Sequence, residues 1–206
     1  MRTRPDTALE EAARAEGFLR VAGVDEAGRG PIAGPLVAAA VILDPGAVPD
    51  GLDDSKRLSP ARRAILREKI ERTARWGVGV VDVATIDRVN VLQATFIAMR
   101  EAMGDLLADL ALIDGTMVPP GLNVPARAVV RGDARSASIA AASILAKELR
   151  DSMMRALAQQ DPRFNWGKNK GYLTPEHRSA LAQHGPTQHH RRTFAPVRDM
   201  LCPPGG

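Results

Sequence analysis

Four acidic residues follow apolar stretches of the sequence, where a charged side chain is locally unfavourable. They are Asp25, Glu26, Asp114 and Asp133. Carboxylates gathered in a partly desolvated site repel one another, so such a group is stable only with a cation. Oxygen ligands without Cys or His favour a hard ion, Mg²⁺ or Mn²⁺, over zinc. Because such ions orient a water nucleophile and neutralise a leaving oxygen, the four acids predict metal-dependent hydrolysis of a nucleic-acid backbone.

The adjacent acids Asp25 and Glu26 raise a geometric difficulty, since neighbouring residues on a regular strand point to opposite faces. The triplet Gly28, Arg29 and Gly30 suggests an answer. Glycines permit backbone turns closed to other residues, so we expect the chain to leave the strand at Glu26 and both acids to face one pocket. Exposed N–H groups in such a loop also bind phosphate. The alternatives are a helix cap or turn for each acid, and a tight turn with a solvated arginine.

The elements that must position these residues can be read from the apolar pattern. Apolar, β-branched runs at 17–25, 35–44 and 76–84 predict three strands largely buried on both faces. Two short strands are predicted at 111–115 and 125–133, each running into an aspartate.

Helical spacing occurs in four stretches, at 59–75, 85–110, 136–160 and 174–185. We expect Thr85 to be the N-cap of the second helix. The third helix has a first turn almost free of bulky side chains, which permits close approach of another backbone.

Length and composition indicate one main domain. The 206 residues allow one full hydrophobic core, so we expect a single domain over 1–206, with a core at about 18–160 and a C-terminal helical extension at about 161–206. No apolar run approaches the roughly 20 residues of a spanning helix. One cysteine, Cys202, and an N-terminus without a signal-peptide pattern predict a cytoplasmic location. The Pro/Gly-rich tail from Ala195 is expected to fray.

The charge balance permits a polyanionic partner. The net charge is +4, and aromatic residues make up only 3% of the chain. Few aromatic platforms are available for stacking unpaired bases. A nucleic-acid partner is therefore expected to be a duplex read through its backbone and groove shape.

Several motifs together resemble bacterial ribonuclease HII, in that family's order and spacing, from about Arg20 to Val197. They are GVDEAGRGPIAGPLVAAAVIL, LDDSKRLS, NVLQATFIAMREA, LIDG, GDARSASIAAASILAKELRD and GYLTPEHRSALAQHGPTQHHRRTFAPV. The resemblance implies an α/β ribonuclease H-like fold, with a mixed central β-sheet flanked by helices and a small C-terminal helical region. It also implies a Mn²⁺- or Mg²⁺-dependent endonuclease, and we expect a monomer without a membrane partner.

The activity implied by the resemblance is hydrolysis of the RNA strand of RNA/DNA hybrids. It includes cutting 5′ to a single ribonucleotide embedded in duplex DNA, which leaves 3′-hydroxyl and 5′-phosphate ends. The alternative from another class is a nucleic-acid binding module without catalysis. The four acids argue against it, because carboxylates that bind no metal would be electrostatically unfavourable beside a phosphate ligand. A nuclease specific for DNA alone is disfavoured by the loop that would read the 2′-hydroxyl.

Residue by residue, the resemblance implies that the four acids are the catalytic metal ligands. It assigns substrate contacts to Gly28, Arg29, Gly30, Tyr172, Asn90, Gln93, Ser55 and Lys56. The glycine–arginine loop would contact the ribose 2′-hydroxyl, and Tyr172 would pack on the sugar beside the cut, although Leu173 stands where the family commonly has proline. For Tyr172 the alternative is a half-buried residue at the start of a helix. Asn90 and Gln93 are expected to contact phosphates, and the alternative is that they belong to an ordinary polar face of a helix. For the loop of Ser55 and Lys56, the alternative to a substrate contact is a solvated turn.

Other charged residues receive different interpretations. Asp151 lies mid-helix near Lys147 and Arg155, so we expect an ion-paired surface residue and rank it below Asp133 as a ligand. Adjacent His189 and His190 diverge in an extended chain, which argues against zinc. We expect a basic contact patch or a packed C-terminal segment there, with Arg191 and Arg192 as candidate phosphate contacts.

Overall fold

The computed structural model describes residues 4–201 of the chain. Its strands are β1 (Val21–Ala27), β2 (Leu36–Ile42), β3 (Arg75–Val81), β4 (Leu110–Asp114) and β5 (Ala126–Val129). Its helices are α1 (Ala8–Ala15), α2 (Pro60–Thr73), α3 (Val83–Val89), α4 (Val91–Met103), α5 (Ala137–Gln160), α6 (Trp166–Asn169), α7 (Pro175–His184) and α8 (Ala195–Leu201). Two single 3-10 turns lie at Gly132–Ala134 and Pro162–Phe164.

The five strands form one mixed sheet in the order β3-β2-β1-β4-β5. The pairs β1–β2 and β2–β3 are antiparallel, whereas β1–β4 and β4–β5 are parallel. Parallel neighbours require crossover connections. The connection from β1 to β4 contains the helices α2, α3 and α4, whereas β4 and β5 are joined by a loop over 115–125. This arrangement confirms the predicted mixed sheet.

Alternate residues of the sheet pack against helices on its two faces. Ala38 and Ala40 of β2 share a core cluster with Ala98 of α4, whereas Val37 and Ala39 share another with α2 and α5. The prediction of three strands buried on both faces is wrong for β3, because β3 is an edge strand and several of its residues are exposed.

The small first turn of α5 lies against β1. A Cβ atom on Gly23 would come within 2.2 Å of the Ile139 backbone nitrogen. Only glycine therefore permits this contact, and the element that approaches the alanine-rich turn is the strand that carries Asp25. Ser136 caps α5 by accepting a hydrogen bond from Ile139 N–H.

The stretch predicted as one helix over 85–110 is two helices and the start of β4. Asp82, not Thr85, caps α3, since its Oδ1 accepts a hydrogen bond from Thr85 N–H at 2.7 Å. Asn90 separates the helices with a backbone φ of 70° and caps α4. The apolar spacing continues across this break, which explains why the pattern predicted one helix.

The C-terminal segment packs onto the end of α5. Phe164, Trp166 and Val197 share a buried cluster with Met154 of α5 and Ile32. This shared core is consistent with the predicted single domain over 1–206, which stays a prediction. The expectation that the tail frays from Ala195 is wrong as far as Leu201, because α8 forms there with Val197 buried. Cys202 and the residues after it lie outside the described range.

None of the helices within residues 4–201 combines the length and the apolar character needed to cross a membrane.

Candidate active site

Asp25 and Glu26 both lie within regular β1. They pair with Ala39 and Ala38 of β2, and the strand continues to Ala27. The expectation that the chain leaves the strand at Glu26 is therefore wrong. Pairing with β2 holds the backbone extended up to Ala27, so the glycine turn begins after both acids.

The register of the parallel strands brings a third acid close to Asp25. Val24 of β1 pairs with Ile113 of β4, so Asp25 and Asp114 follow at equivalent positions of neighbouring strands and lie on the same face. Glu26 starts on the opposite face. It nevertheless borders a cleft of about 240 Å³ together with Asp25, because both acids stand at the end of the sheet.

Burial and mutual repulsion perturb Asp25 most strongly. Its side chain is buried, and desolvation together with the charges of Glu26 and Asp114 raises its pKa well above the ordinary value. A hydrogen bond from Ser143 of α5 opposes this shift. Asp25 is thus a buried acid for which burial and like charges outweigh the hydrogen bonds that stabilise its charged form.

Glu26 borders a second cavity, of about 180 Å³, which it shares with Asp114. Burial raises the pKa of Glu26, and the nearby charge of Arg29 lowers it, while Asp114 raises it further. The Arg29 Nη1 atom lies 3.4 Å from Glu26 Oε1. Arg29 therefore links the glycine-rich loop to the acidic group.

Asp133 is brought to the cluster by a turn and not by a strand end. Asp114 Oδ1 accepts a hydrogen bond of 2.6 Å from Gly132 N–H, which ties β4 to the 3-10 turn carrying Asp133. Burial and the charge of Asp114 raise the pKa of Asp133. Its Oδ2 lies 3.9 Å from Lys56 Nζ.

The acids are neighbours, but they do not form a finished coordination set. Across residues 4–201, no three His, Cys, Asp or Glu side chains are gathered closely enough to hold a metal. Glu26, Asp114 and Asp133 instead contact Arg29, the Gly132 N–H and Lys56. The chemistry of the donors fits a hard divalent cation, because every donor is a carboxylate oxygen and the cluster carries unbalanced negative charge.

The glycine-rich loop and Tyr172 form the wall of the same cleft. Gly28 has a φ of +100°, and a Cβ there would lie 2.1 Å from Arg150 Nε, so only glycine fits. The Cε1 atom of Tyr172 would lie 3.5 Å from a Cβ on Gly30. Tyr172 is 51% exposed, which agrees with the simpler interpretation of a half-buried residue and leaves part of its side chain open to the cleft. Loop and ring therefore present an open surface beside Asp25.

Ser55 and Lys56 also border this cleft. Ser55 is buried, and its hydroxyl lies 2.8 Å from that of Ser143 on α5. Arg63 of α2 donates to the Ser55 carbonyl at 3.1 Å, so the loop is fixed in place and is not a freely solvated turn.

Asn90 and Gln93, the expected phosphate contacts, lie at the start of α4. Asn90 Oδ1 accepts hydrogen bonds from Leu92 N–H and Gln93 N–H, so this oxygen is used as a helix cap. Gln93 is exposed. Helix α4 contributes Leu92, Thr95, Phe96 and Met99 to the second cavity, but among the described residues that line the two cavities neither Asn90 nor Gln93 occurs.

Comparison with known proteins places this geometry in a family. The family model described as Ribonuclease HII matches residues 22–197. The chain is 53% identical over 201 residues to a ribonuclease HII of Ruegeria pomeroyi, covering 97% of this chain and 86% of that protein. The chain belongs to the ribonuclease HII family.

Solved structures agree with the fold. The ribonuclease H2 of Pyrococcus horikoshii OT3 superposes with a TM-score of 0.72 at 28% identity, covering 88% of this chain and 97% of that one. Bst-RNase HIII, solved in complex with Mn²⁺, superposes with a TM-score of 0.72 at 19% identity, covering 92% and 71%. The ribonuclease H-like fold and the endoribonuclease class expected from the sequence are thereby confirmed.

Several charged residues of this ribonuclease HII family member have roles that the sequence did not reveal. Arg191, expected at phosphates, is fully buried and donates to the carbonyls of Gly28, Arg29, Gly34 and Pro35. Arg150 of α5 donates to the carbonyls of Ala33, Pro35 and Lys170. Arg191 therefore holds the Gly28–Gly30 loop, and Arg150, which also lines the cleft, holds the segment that follows the loop.

Asp151 is ion-paired as expected, but the expectation that it lies on the surface is wrong. It is buried, with Lys147 Nζ at 2.5 Å and Arg63 Nη2 at 3.8 Å. His190 is buried and belongs to a packed segment, one of the two interpretations drawn from the sequence. Arg192 is exposed, and its backbone N–H donates to Asp87.

Proposed function

We propose that this chain is a divalent-metal-dependent endonuclease that hydrolyses the RNA strand of RNA/DNA hybrids. We further propose cutting 5′ to a single ribonucleotide in duplex DNA, with 3′-hydroxyl and 5′-phosphate products. One observation carries the proposal: buried acids with raised pKa values stand beside an exposed glycine–arginine loop and a tyrosine ring in one cleft. Membership of the ribonuclease HII family supports the same chemistry.

Asp25, Glu26, Asp114 and Asp133 are the proposed ligands of Mn²⁺ or Mg²⁺. A bound ion would supply a water of lowered pKa and neutralise charge on the leaving oxygen. The Mn²⁺ complex of Bst-RNase HIII is consistent with such an ion. Asp25 is the central ligand in this proposal because its carboxylate is buried and is repelled by two other acids.

The remaining side chains would position the nucleic acid. Lys56 is the exposed cation beside Asp133, so it is placed to offset phosphate charge. The N–H groups of the Gly28–Gly30 loop, with the Tyr172 ring, are proposed to contact the ribose and its 2′-hydroxyl. Ser55 is proposed to fix the Lys56 loop through Ser143. Asn90 and Gln93 remain proposed contacts at the edge of the duplex, with Asn90 limited to its amide nitrogen.

We also propose a monomer that acts in the cytoplasm on RNA/DNA hybrids and ribonucleotide-containing duplex DNA. The neutralisation of phosphates by surface Lys and Arg would make duplex binding weaken as salt rises.

The decisive experiment compares a DNA duplex holding one ribonucleotide with its all-DNA twin, in Mg²⁺, in Mn²⁺ and in EDTA. Cleavage of the first duplex alone, and only with a metal, supports the proposal. Product ends are checked by phosphatase and ligase treatment. Cleavage of the all-DNA twin, or equal activity in EDTA, would contradict it, and duplex binding without any cleavage would favour the binding-module alternative.

A further inference from the structure

A buried pair of histidines lies behind Tyr172, outside the acidic cluster. His177 of α7 and His190 are both at most 1% exposed, and their Nε2 atoms are 3.1 Å apart. Trp166 Nε1 lies 3.2 Å from the same His177 nitrogen. Burial lowers the pKa of both rings, and that of His190 falls to about 4. Both histidines are therefore neutral at ordinary pH.

The direction of each hydrogen bond follows from the fixed donors at the two ends. The Thr187 N–H donates to His190 Nδ1 at 3.0 Å, so the neutral ring of His190 carries its hydrogen on Nε2. Because Trp166 Nε1 can only donate, His177 Nε2 must accept from both Trp166 and His190. The hydrogen of His177 is consequently on Nδ1, which donates to the Tyr172 carbonyl at 2.9 Å. The chain of hydrogen bonds ends on the backbone of the tyrosine in the cleft.

The residue after His190 reaches the opposite wall of the cleft. Arg191 Nη2 donates to the Gly28 carbonyl at 2.6 Å and Nη1 to the Arg29 carbonyl at 3.1 Å. Backbone bonds reinforce this link, since Gly34 N–H donates to the His189 carbonyl at 2.9 Å. The short segment 189–191 thus connects to the loop on one side and to Tyr172 on the other.

We propose that His190 and Arg191 are positioning residues that set the separation between the Gly28–Gly30 loop and Tyr172, with His177 transmitting the position of His190 to the Tyr172 backbone. This inference rests on the proposed function for the role of the cleft. A site that must sense one hydroxyl group needs its contacts held within about 0.5 Å, which demands a rigid support behind both walls. The histidine chain and the buried guanidinium provide that support without touching substrate.

Two substitutions of His177 separate its donor role from its acceptor role. In His177→Asn the amide nitrogen takes the place of Nδ1, so the bond to the Tyr172 carbonyl is kept while the acceptor is lost. In His177→Gln the amide oxygen takes the place of Nε2, so the acceptor is kept while the donor to Tyr172 is lost. His184→Gln on the same helix is the matched control, because His184 is exposed.

Tyr172 is the only tyrosine of the chain, so 3-fluorotyrosine labelling gives one ¹⁹F signal that reports on this ring. The full-length protein with His184→Gln is expected to keep the wild-type signal position and width. His177→Gln, which breaks the link to Tyr172, and His177→Asn, which breaks the link to His190, are each expected to shift or broaden the signal. An unchanged signal in either variant would overturn the role of His177.

Binding provides the functional readout. In an Asp25→Asn background with Mg²⁺, the affinity for a duplex with one ribonucleotide is compared with that for its all-DNA twin. His177→Gln and His177→Asn are each expected to reduce this preference roughly tenfold, with affinity for the all-DNA duplex unchanged, whereas His184→Gln retains it. Arg191→Lys, which keeps the charge but lacks the planar fork, provides a second arm should His177→Gln fail to fold, and it is expected to reduce the preference similarly.

The outcomes distinguish this inference from the proposed function. A wild-type protein that cleaves neither duplex and shows no preference would contradict the proposed function, while the ¹⁹F comparison would still test the link to Tyr172. A wild-type protein that cleaves selectively, with variants that retain full preference, would overturn the positioning role alone.

Discussion

The acidic end of the sheet and the Gly28–Gly30 wall of the cleft lie side by side, yet their polar groups are satisfied to very different extents. Asp25 is buried among like charges, and its pKa is raised as a result. In the loop, in contrast, the carbonyls of Gly28 and Arg29 both accept hydrogen bonds from the buried guanidinium group of Arg191. The difference indicates that the acids are kept in excess for an external cation, whereas the loop is fixed in advance by the protein.

The largest expected effect comes from removing one charge at the acidic end. Asp25→Asn should lower cleavage of the ribonucleotide-containing duplex by roughly 10³-fold or more, equivalent to about 4 kcal/mol of barrier. The metal-free thermal midpoint should stay equal or rise, because a repelled buried charge is removed. Asp199→Asn, an exposed acid on α8, is the control and should retain activity. Wild-type cleavage by Asp25→Asn would remove the acidic end from the mechanism.

At the Gly28–Gly30 wall of the cleft, in contrast, substitution of a supporting residue is expected to lower the stability of the fold. Arg191→Ala leaves several buried carbonyls without a donor, so the free energy of unfolding should fall by about 3 kcal/mol. Urea denaturation measures this change, and Arg192→Ala, an exposed neighbour, should alter it by less than about 0.5 kcal/mol. Equal effects of the two variants would show that the guanidinium of Arg191 does not support the loop.

The buried histidines behind the cleft wall and the acids contribute to the pH dependence of folding stability with opposite signs. His177 and His190 have lowered pKa values in the folded state, so the unfolded chain binds more protons as the pH falls below about 6.5, and stability is lost as the pH approaches about 4. Allowing for solvent screening, the loss between pH 6.5 and 4.5 is expected to be about 1–2 kcal/mol.

The acids act in the opposite direction in that pH window. The raised pKa of Asp25 means that the folded state binds its proton more readily, so this group becomes less unfavourable as the pH falls. Urea denaturation of wild type and His190→Asn at both pH values measures how much the free energy of unfolding falls between pH 6.5 and 4.5. The wild type should lose more than the variant, and the difference is the contribution of His190. An equal loss in the two proteins would contradict the lowered pKa of His190.

The smallest expected effect is stabilisation by the cation alone. Millimolar Mg²⁺ or Mn²⁺ should raise the thermal midpoint of wild type by a few degrees, corresponding to about 1 kcal/mol, because a ligand that binds only the folded state stabilises it. Asp25→Asn should show a smaller rise. Added NaCl at matched ionic strength controls for nonspecific screening, and an equal rise in both proteins would place the ion elsewhere.

The sequence predicted the features of the fold that depend on local pattern. The apolar runs predicted β2 and β3 closely, and Ser59 and Thr174 cap the helices that their spacing indicated. The break at Asn90 was missed because an asparagine with positive φ leaves the apolar spacing of the flanking helices unchanged. Local pattern also gave no sign that β3 lies at the edge, since strand order depends on partners distant in the chain.

The candidate site was predictable in composition but not in its supports. Acids after apolar runs, together with the resemblance, pointed to the acidic residues that the structure places together. The burial of Arg191 and Asp151 could not be predicted, because each depends on groups from other parts of the chain: loop carbonyls for Arg191, and Arg63 for Asp151. An arginine in a basic stretch carries no local signal that distinguishes a carbonyl clamp from a phosphate contact.

Because β4 pairs in parallel with β1, a shift in the register of β4 would change which side chain lies beside Asp25. Sliding β4 by one residue would turn the carboxylate of Asp114 to the other side of the sheet and present Ile113 in its place, because side chains alternate along a strand. An insertion or deletion that shifts this register would therefore be expected to lower activity by misdirecting one of the proposed metal ligands, even where the hydrophobic interior tolerates it.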